Sequence, residues 1–231
     1  MSSPIVSSSI KTNTQVPGMK AEYELKMSID HGMIPKDLNA LQLACLNRKE
    51  AEVDDLLKQE RVIKTINDRI DSGETIMHFL ASRIGTLNII NKLMQAGAKY
   101  DIVDHEGMTS LSLAASKGNI DVVKLLLFDD STRKDKGQII NLSAPLIRPP
   151  LYWALKYAAS KKDKEEIPEN SIELIKVLLD YGANPLKKCY FEFLEENMIV
   201  IAQKLNLSAV IVKMLQDKVI EIQKREETLK V

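Results

Sequence analysis

Aromatic residues make up only 5% of the 231-residue chain. That scarcity argues against a core built on bulky rings and for a helical one packed from Leu, Ile and Ala. Cysteine is also scarce. Cys45 and Cys189 are too few for a disulfide framework, so a reducing, cytoplasmic setting is expected. Histidine occurs three times, as His31, His78 and His105, with no metal-ligand spacing to one another or to a cysteine. No metal and no cofactor are therefore expected. Charge of one sign is missing too: 32 Lys+Arg balance 32 Asp+Glu, which gives no electrostatic reason to expect nucleic acid. Long apolar runs are absent. The longest, such as Met198–Ala202, fall far short of the roughly 18 residues of a membrane span. No glycine-rich phosphate loop and no nucleophile with a histidine and an acid beside it can be found, so no enzymatic activity is expected. The opening "MSSPIVSSSIKTNTQVPG" has no basic start followed by an apolar block, which predicts no secretory leader. Its Ser/Thr/Pro content predicts disorder over residues 1–20.

What is present is pattern. In "DHEGMTSLSLAASKGNIDVVKLLL" (Asp104–Leu127), Asp104 to Gly107 reads as a tight turn and Thr109 as a helix cap. Leu111, Leu113, Ala114 and Ala115 make a short apolar helix whose alanines let a neighbour approach. Gly118 suits a left-handed helix end. A second helix follows, with Asp121 at its positive end and Ile120, Val123, Leu126 and Leu127 on one face. Two helices this short are marginal alone and need neighbours of the same kind.

The plan recurs. It returns in Gly73–Ala98 with one extra residue between His78 and Gly85, and more loosely in Asn39–Leu57. It starts again at Pro149–Leu155, is completed by Asn170–Pro185, and is echoed in Leu207–Gln216. The mid-helix anchors Val53, Ile90, Val123, Ile175 and Val212 lie 37, 33, 52 and 37 residues apart. A period near 33 residues, stretched by insertions, marks a helical repeat array.

On these residues the chain resembles the ankyrin repeat family. The stretch from Asp104 matches its pattern at Gly107, Thr109, Leu111, Ala114, Ala115, Gly118, Val123, Leu126 and Leu127, and departs at Ser110 and Ser112, where the family has Pro and His. Gly73, Thr75, His78, Gly97 and Ala98 match in the preceding unit. Pro150, Leu151, Ala154, Gly182, Ala183 and Asn184 match in the following one. The resemblance implies an all-α solenoid of about five helix-turn-helix units with degenerate terminal repeats over residues 21–218, followed by a helical extension at 219–231. The family's glycine-alanine turn is missing between Leu127 and Pro149, and Tyr157–Glu169 separates the two helices of the fourth unit. Both insertions read either as tolerated surface additions or as partner-specific loops.

His78 stands at the family's histidine position and should bond locally around Thr75. Cys45 replaces a small alanine and should be buried. Cys189 follows two lysines, Lys187 and Lys188, which would lower its pKa, yet an inert thiol is expected. Tyr152 and Trp153 read as core aromatics, and Asp54-Asp55, Asp129-Asp130 and Glu195-Glu196 as solvated faces. Ala209, Val212, Leu215, Val219 and Ile222 predict one face of a capping helix. The resemblance implies a non-catalytic protein-binding surface of turn tips and inner helices, and a monomer with a protein partner. Register assigns Glu74, His105, Glu106 and Met108 to the tips, Arg83, Ser116 and Lys117 to inner-helix positions, and Arg148 and Lys156 to the fourth unit. Met108, apolar at a tip, is expected to be exposed and to act as an anchor. The tail "EIQKREETLKV" is similar to C-terminal translocation signals of bacterial type IV effectors, which gives a second expectation: a module delivered into a host cytoplasm to tether a host protein.

Overall fold

The computed structural model describes residues 39–132, 139–142, 147–161, 169–192 and 194–229, within one compact unit, Asn39–Val231. The expectation for residues 1–20 lies outside the described residues, as do parts of both insertions.

Five helix pairs stack in two layers. The first helices are α1 (Ala40–Leu46), α4 (Ile76–Ala81), α6 (Ser110–Lys117), α8 (Pro150–Ser160) and α10 (Met198–Lys204). The second helices are α2 (Glu50–Leu56), α5 (Leu87–Gln95), α7 (Ile120–Thr132), α9 (Glu169–Asp180) and α11 (Ala209–Thr228); the short α3 (Glu60–Lys64) follows α2. Each first helix packs on the first helix of the next repeat, and each second helix on the next second helix. The small side chains predicted to allow this do so. Ala44, Cys45, Ala81, Ala114, Ala115, Ala154 and Ala202 are all essentially inaccessible. The whole of α4 is buried, which six residues can achieve only with a repeat on each side.

Val53, Ile90, Val123 and Ile175 are each fully buried. The fifth anchor is displaced by one position. Ile211 and Leu215 enter the core, while Val212, Val219 and Ile222 are half-buried and Ala209 is exposed. The terminal helix has a neighbour on one side only, so its sequence carries a blurred apolar face.

Among the described residues one element is not helical. β1 (Lys188–Phe191) and β2 (Leu194–Asn197) form an antiparallel hairpin between the fourth and fifth repeats. Cys189 and Phe191 point inward and Lys188 and Tyr190 outward, the alternation of a half-buried strand. The hairpin is an addition to the helical stack and leaves its layers intact.

Candidate functional site

Each turn tip is built by backbone and side-chain bonds that set which residues face water. Between the second and third repeats, the Asp104 N–H donates to the Met108 carbonyl at 2.9 Å, and the Met108 N–H donates to Asp104 Oδ1 at 2.8 Å. The Glu106 N–H shares that carboxylate at 2.9 Å. This closes the turn with His105 and Glu106 exposed. The His105 N–H donates to Ser72 O in the preceding tip, so successive tips are tied together. Glu74 is half-buried and accepts a bond from the Ser72 hydroxyl.

The same closure corrects the reading of Met108. It is only 5% exposed, and its carbonyl accepts a bond from His78 Nε2 at 3.2 Å. The Asp104 turn folds the chain back so that the residue after Gly107 points into the stack. Met108 is thus a core residue and offers no anchor. His78 behaves as expected and reaches further. Its Nδ1 accepts the Thr75 N–H at 3.0 Å, which places the ring hydrogen on Nε2, aimed at the next repeat. Burial holds its pKa below the usual histidine value.

Where a first helix gives way to its partner, the backbone passes through a left-handed residue. Arg48 (φ 56°), Gly118 (φ 70°) and Asn206 (φ 53°) take equivalent places. The strained Arg48 donates through its guanidinium to Ile84 O at 2.8 Å in the next repeat. Asn119 Nδ2 donates to the Ala81 and Arg83 carbonyls. Arg83 and Ser116 are half-buried, and Lys117 and Lys156 are exposed. The Ser116 hydroxyl is used within its own helix, bonding Leu113 O. Arg83 is pushed below its ordinary pKa by desolvation and, secondly, by the Arg48 charge.

Arg148 belongs to a separate cluster. Its Nε donates to Tyr190 O on β1 at 3.1 Å, and its guanidinium lies 5.3 Å from the Tyr152 ring centre. Tyr152 is buried and meets Trp153 and Phe191 edge to face. Cys189 lies buried beside this cluster. Burial pushes its thiol up to about 11 and only partly yields to Arg148, the reverse of the expected effect of Lys187 and Lys188. Cys45 is pushed up to about 12 by burial alone. Both thiols stay protonated near neutrality, which leaves no thiolate nucleophile. Of the acidic pairs, Asp54 bonds Lys92, Asp55 bonds Lys58, and Glu196 bonds Lys204.

Two structural asparagines escaped the sequence reading. Asn67 donates to Gly97 O and accepts the Lys99 N–H; Asn141 donates to Gly182 O and accepts the Asn184 N–H. Each follows a buried isoleucine, Ile66 or Ile140, and the recurring Ile-Asn pair was the available signal.

Among the described residues no three His, Cys, Asp or Glu side chains are grouped to hold a metal ion, and no helix is long and apolar enough to cross a membrane. No curated protein matches the chain at a significant level. The family model for ankyrin repeats, with three copies, matches residues 41–139 and 79–189, more than half of the chain. With paired helices in two layers, tied turn tips and a histidine bridging repeats, the chain belongs to the ankyrin repeat family.

Proposed function

We propose that this chain is a non-catalytic module that grips a protein partner through its turn tips and the exposed ends of its first helices. Ankyrin repeats are generally protein–protein interaction modules, and that much follows from the family. One observation carries the assignment of the surface. A backbone bond ties tip to tip and side-chain bonds to backbone carbonyls tie helix end to helix end, while His105, Glu106, Lys117 and Lys156 remain exposed on that fixed frame. A frame already ordered before binding loses little entropy when a partner docks. Arg83 and Glu74 flank this surface half-buried, and Arg148 extends it beside the hairpin. No new chemistry is needed, only presentation.

The test is capture of partners on the immobilised chain, followed by mass spectrometry. A variant with His105, Glu106, Lys117 and Lys156 all changed to Ala should keep its melting midpoint within a few degrees, since none of the four is buried. It should lose the captured protein, whereas Lys92→Ala/Lys124→Ala on the second-helix layer should retain it. Retention by the fourfold variant would place the interaction elsewhere.

A further inference from the structure

The sequence of the first helices contains a bias that the balanced total hides. α1, α4, α6, α8 and α10 hold no aspartate and no glutamate; of the second helices α5 holds none either, whereas α2, α7, α9 and α11 hold several each. The ends of the first helices carry cations instead: Arg48, Arg83, Lys117 and Lys161, with Lys156 beside them on α8.

These cations are neighbours along the stack. Arg48 bonds Ile84 O, next to Arg83. Asn119, two residues past Lys117, bonds Arg83 O. A methyl group on Gly118 would strike Tyr157, and Tyr157 in turn sits 5.5 Å under the Lys161 ammonium. Helix carbonyl ends favour cations, which explains how like charges share this edge.

None of the five is ion-paired among the described residues. The second-helix layer is different. There Lys92 bridges to Asp54 and Glu50, and Lys124 to Glu173, each across a repeat junction. Among the described residues, the second helices thus pair cations across two junctions while these five stay open along the first-helix ends; Lys204 of α10, held by Glu196, lies outside the row.

Resting on the protein-binding reading above, we infer that this cationic row receives an extended acidic segment of a partner protein, with a carboxylate at about every third residue. The spacing carries the choice of ligand. Packed helices lie roughly 8–10 Å apart. A chain in the extended polyproline II conformation rises about 3.1 Å per residue with about three residues per turn, so every third side chain lies on one edge and meets the next repeat. The tips across the surface bear Asp71, Glu74, Asp104 and Glu106, which repel a ligand that is anionic on both edges. A nucleic acid duplex, with a phosphate backbone on each edge, is such a ligand, and a peptide with its acids on one edge is not.

The purified full chain would be titrated against a fluorescein-labelled peptide of about twelve residues with glutamate at every third position, read by anisotropy. The comparison probes are a peptide of the same composition with its glutamates contiguous, a lysine version, and an oligothymidylate of similar length. The spaced acidic peptide should bind most tightly and weaken as salt rises. Arg83→Gln/Lys117→Gln/Lys156→Gln should weaken it about tenfold or more, while Lys92→Gln/Lys124→Gln changes it less than about twofold. Circular dichroism melting of both variants excludes unfolding as the cause. Absence of binding, equal loss in both variants, or tighter binding of the oligothymidylate overturns the inference. If the peptide fails while the fourfold alanine variant still loses its captured protein, the general reading stands and the acidic ligand alone is wrong.

Discussion

The Tyr157 ring lies where a methyl group on Gly118 would have to be. Gly118 ends α6 in the left-handed region, and Tyr157 comes from α8 in the next repeat. The glycine therefore serves its own helix end and the packing of its neighbour at once. Gly118→Ala should destabilise by about 2–3 kcal/mol in urea unfolding, from backbone strain and overpacking together. In a Tyr157→Ala background only the backbone part, about 1 kcal/mol, should remain. Equal costs in the two backgrounds would mean that the ring swings away freely.

His78 makes stability depend on pH. Its folded pKa lies below the ordinary 6.5 because burial penalises the charged ring. The unfolded chain thus binds more protons as pH falls below about 6.5, and the folded state loses stability in that range. Above 6.5 the contribution is fully present. Gln42 fills the matching place in the first repeat, where its Oε1 accepts the Asn39 N–H at 2.9 Å. His78→Gln should therefore fold, and should flatten the decline in denaturation midpoint between pH 6.5 and 5. An unchanged slope would assign the pH dependence to other groups.

Ser110 is an opportunity for stabilisation. It occupies the first position of α6, and its hydroxyl is buried without a hydrogen-bond partner. Thr109 before it has φ −94° and ψ 166°, a conformation that tolerates a following proline. Pro150 already occupies the same position in α8. Ser110→Pro should raise stability by about 0.5–1 kcal/mol, seen as a rise of a few degrees in the melting midpoint. A lower midpoint would show that the ring clashes.

Met108 now belongs with the stabilising residues. Met108→Ala should cost about 2–4 kcal/mol, against nearly nothing for Glu106→Ala two residues earlier. Denaturant titration of the pair checks the assignment directly.

The contrast between Met108 and Gly118 shows what the sequence made legible. Gly118, Thr109, His78 and the alanines were readable because their roles are local or repeat at a fixed spacing. Met108 was not, since its direction depends on how Asp104 folds the turn back, and apolar character alone does not reveal that. The hairpin at Lys188–Asn197 was passed over for a related reason. Its two-residue turn begins with Glu192 at φ 47°, without the Asn-Gly or Asp-Gly that announces such turns, although Cys-Tyr-Phe alternation was visible. The cationic row was hidden by counting charge over the whole chain. It emerges only when charges are sorted by layer.

The bonds between repeats share one property. His78 reaches Met108, Arg48 reaches Ile84, Asn119 reaches Arg83, Asn67 reaches Gly97, and each stops at the adjoining repeat. Among the described residues, these ties include no through-fasteners. Held by its two ends and stretched, the chain should yield link by link from the last repeat, where α10 and α11 have a single neighbour, giving a sawtooth of small force peaks instead of one abrupt rip. Such a molecule acts as a weak spring in series, and a partner spanning several repeats would clamp those links into one stiffer piece.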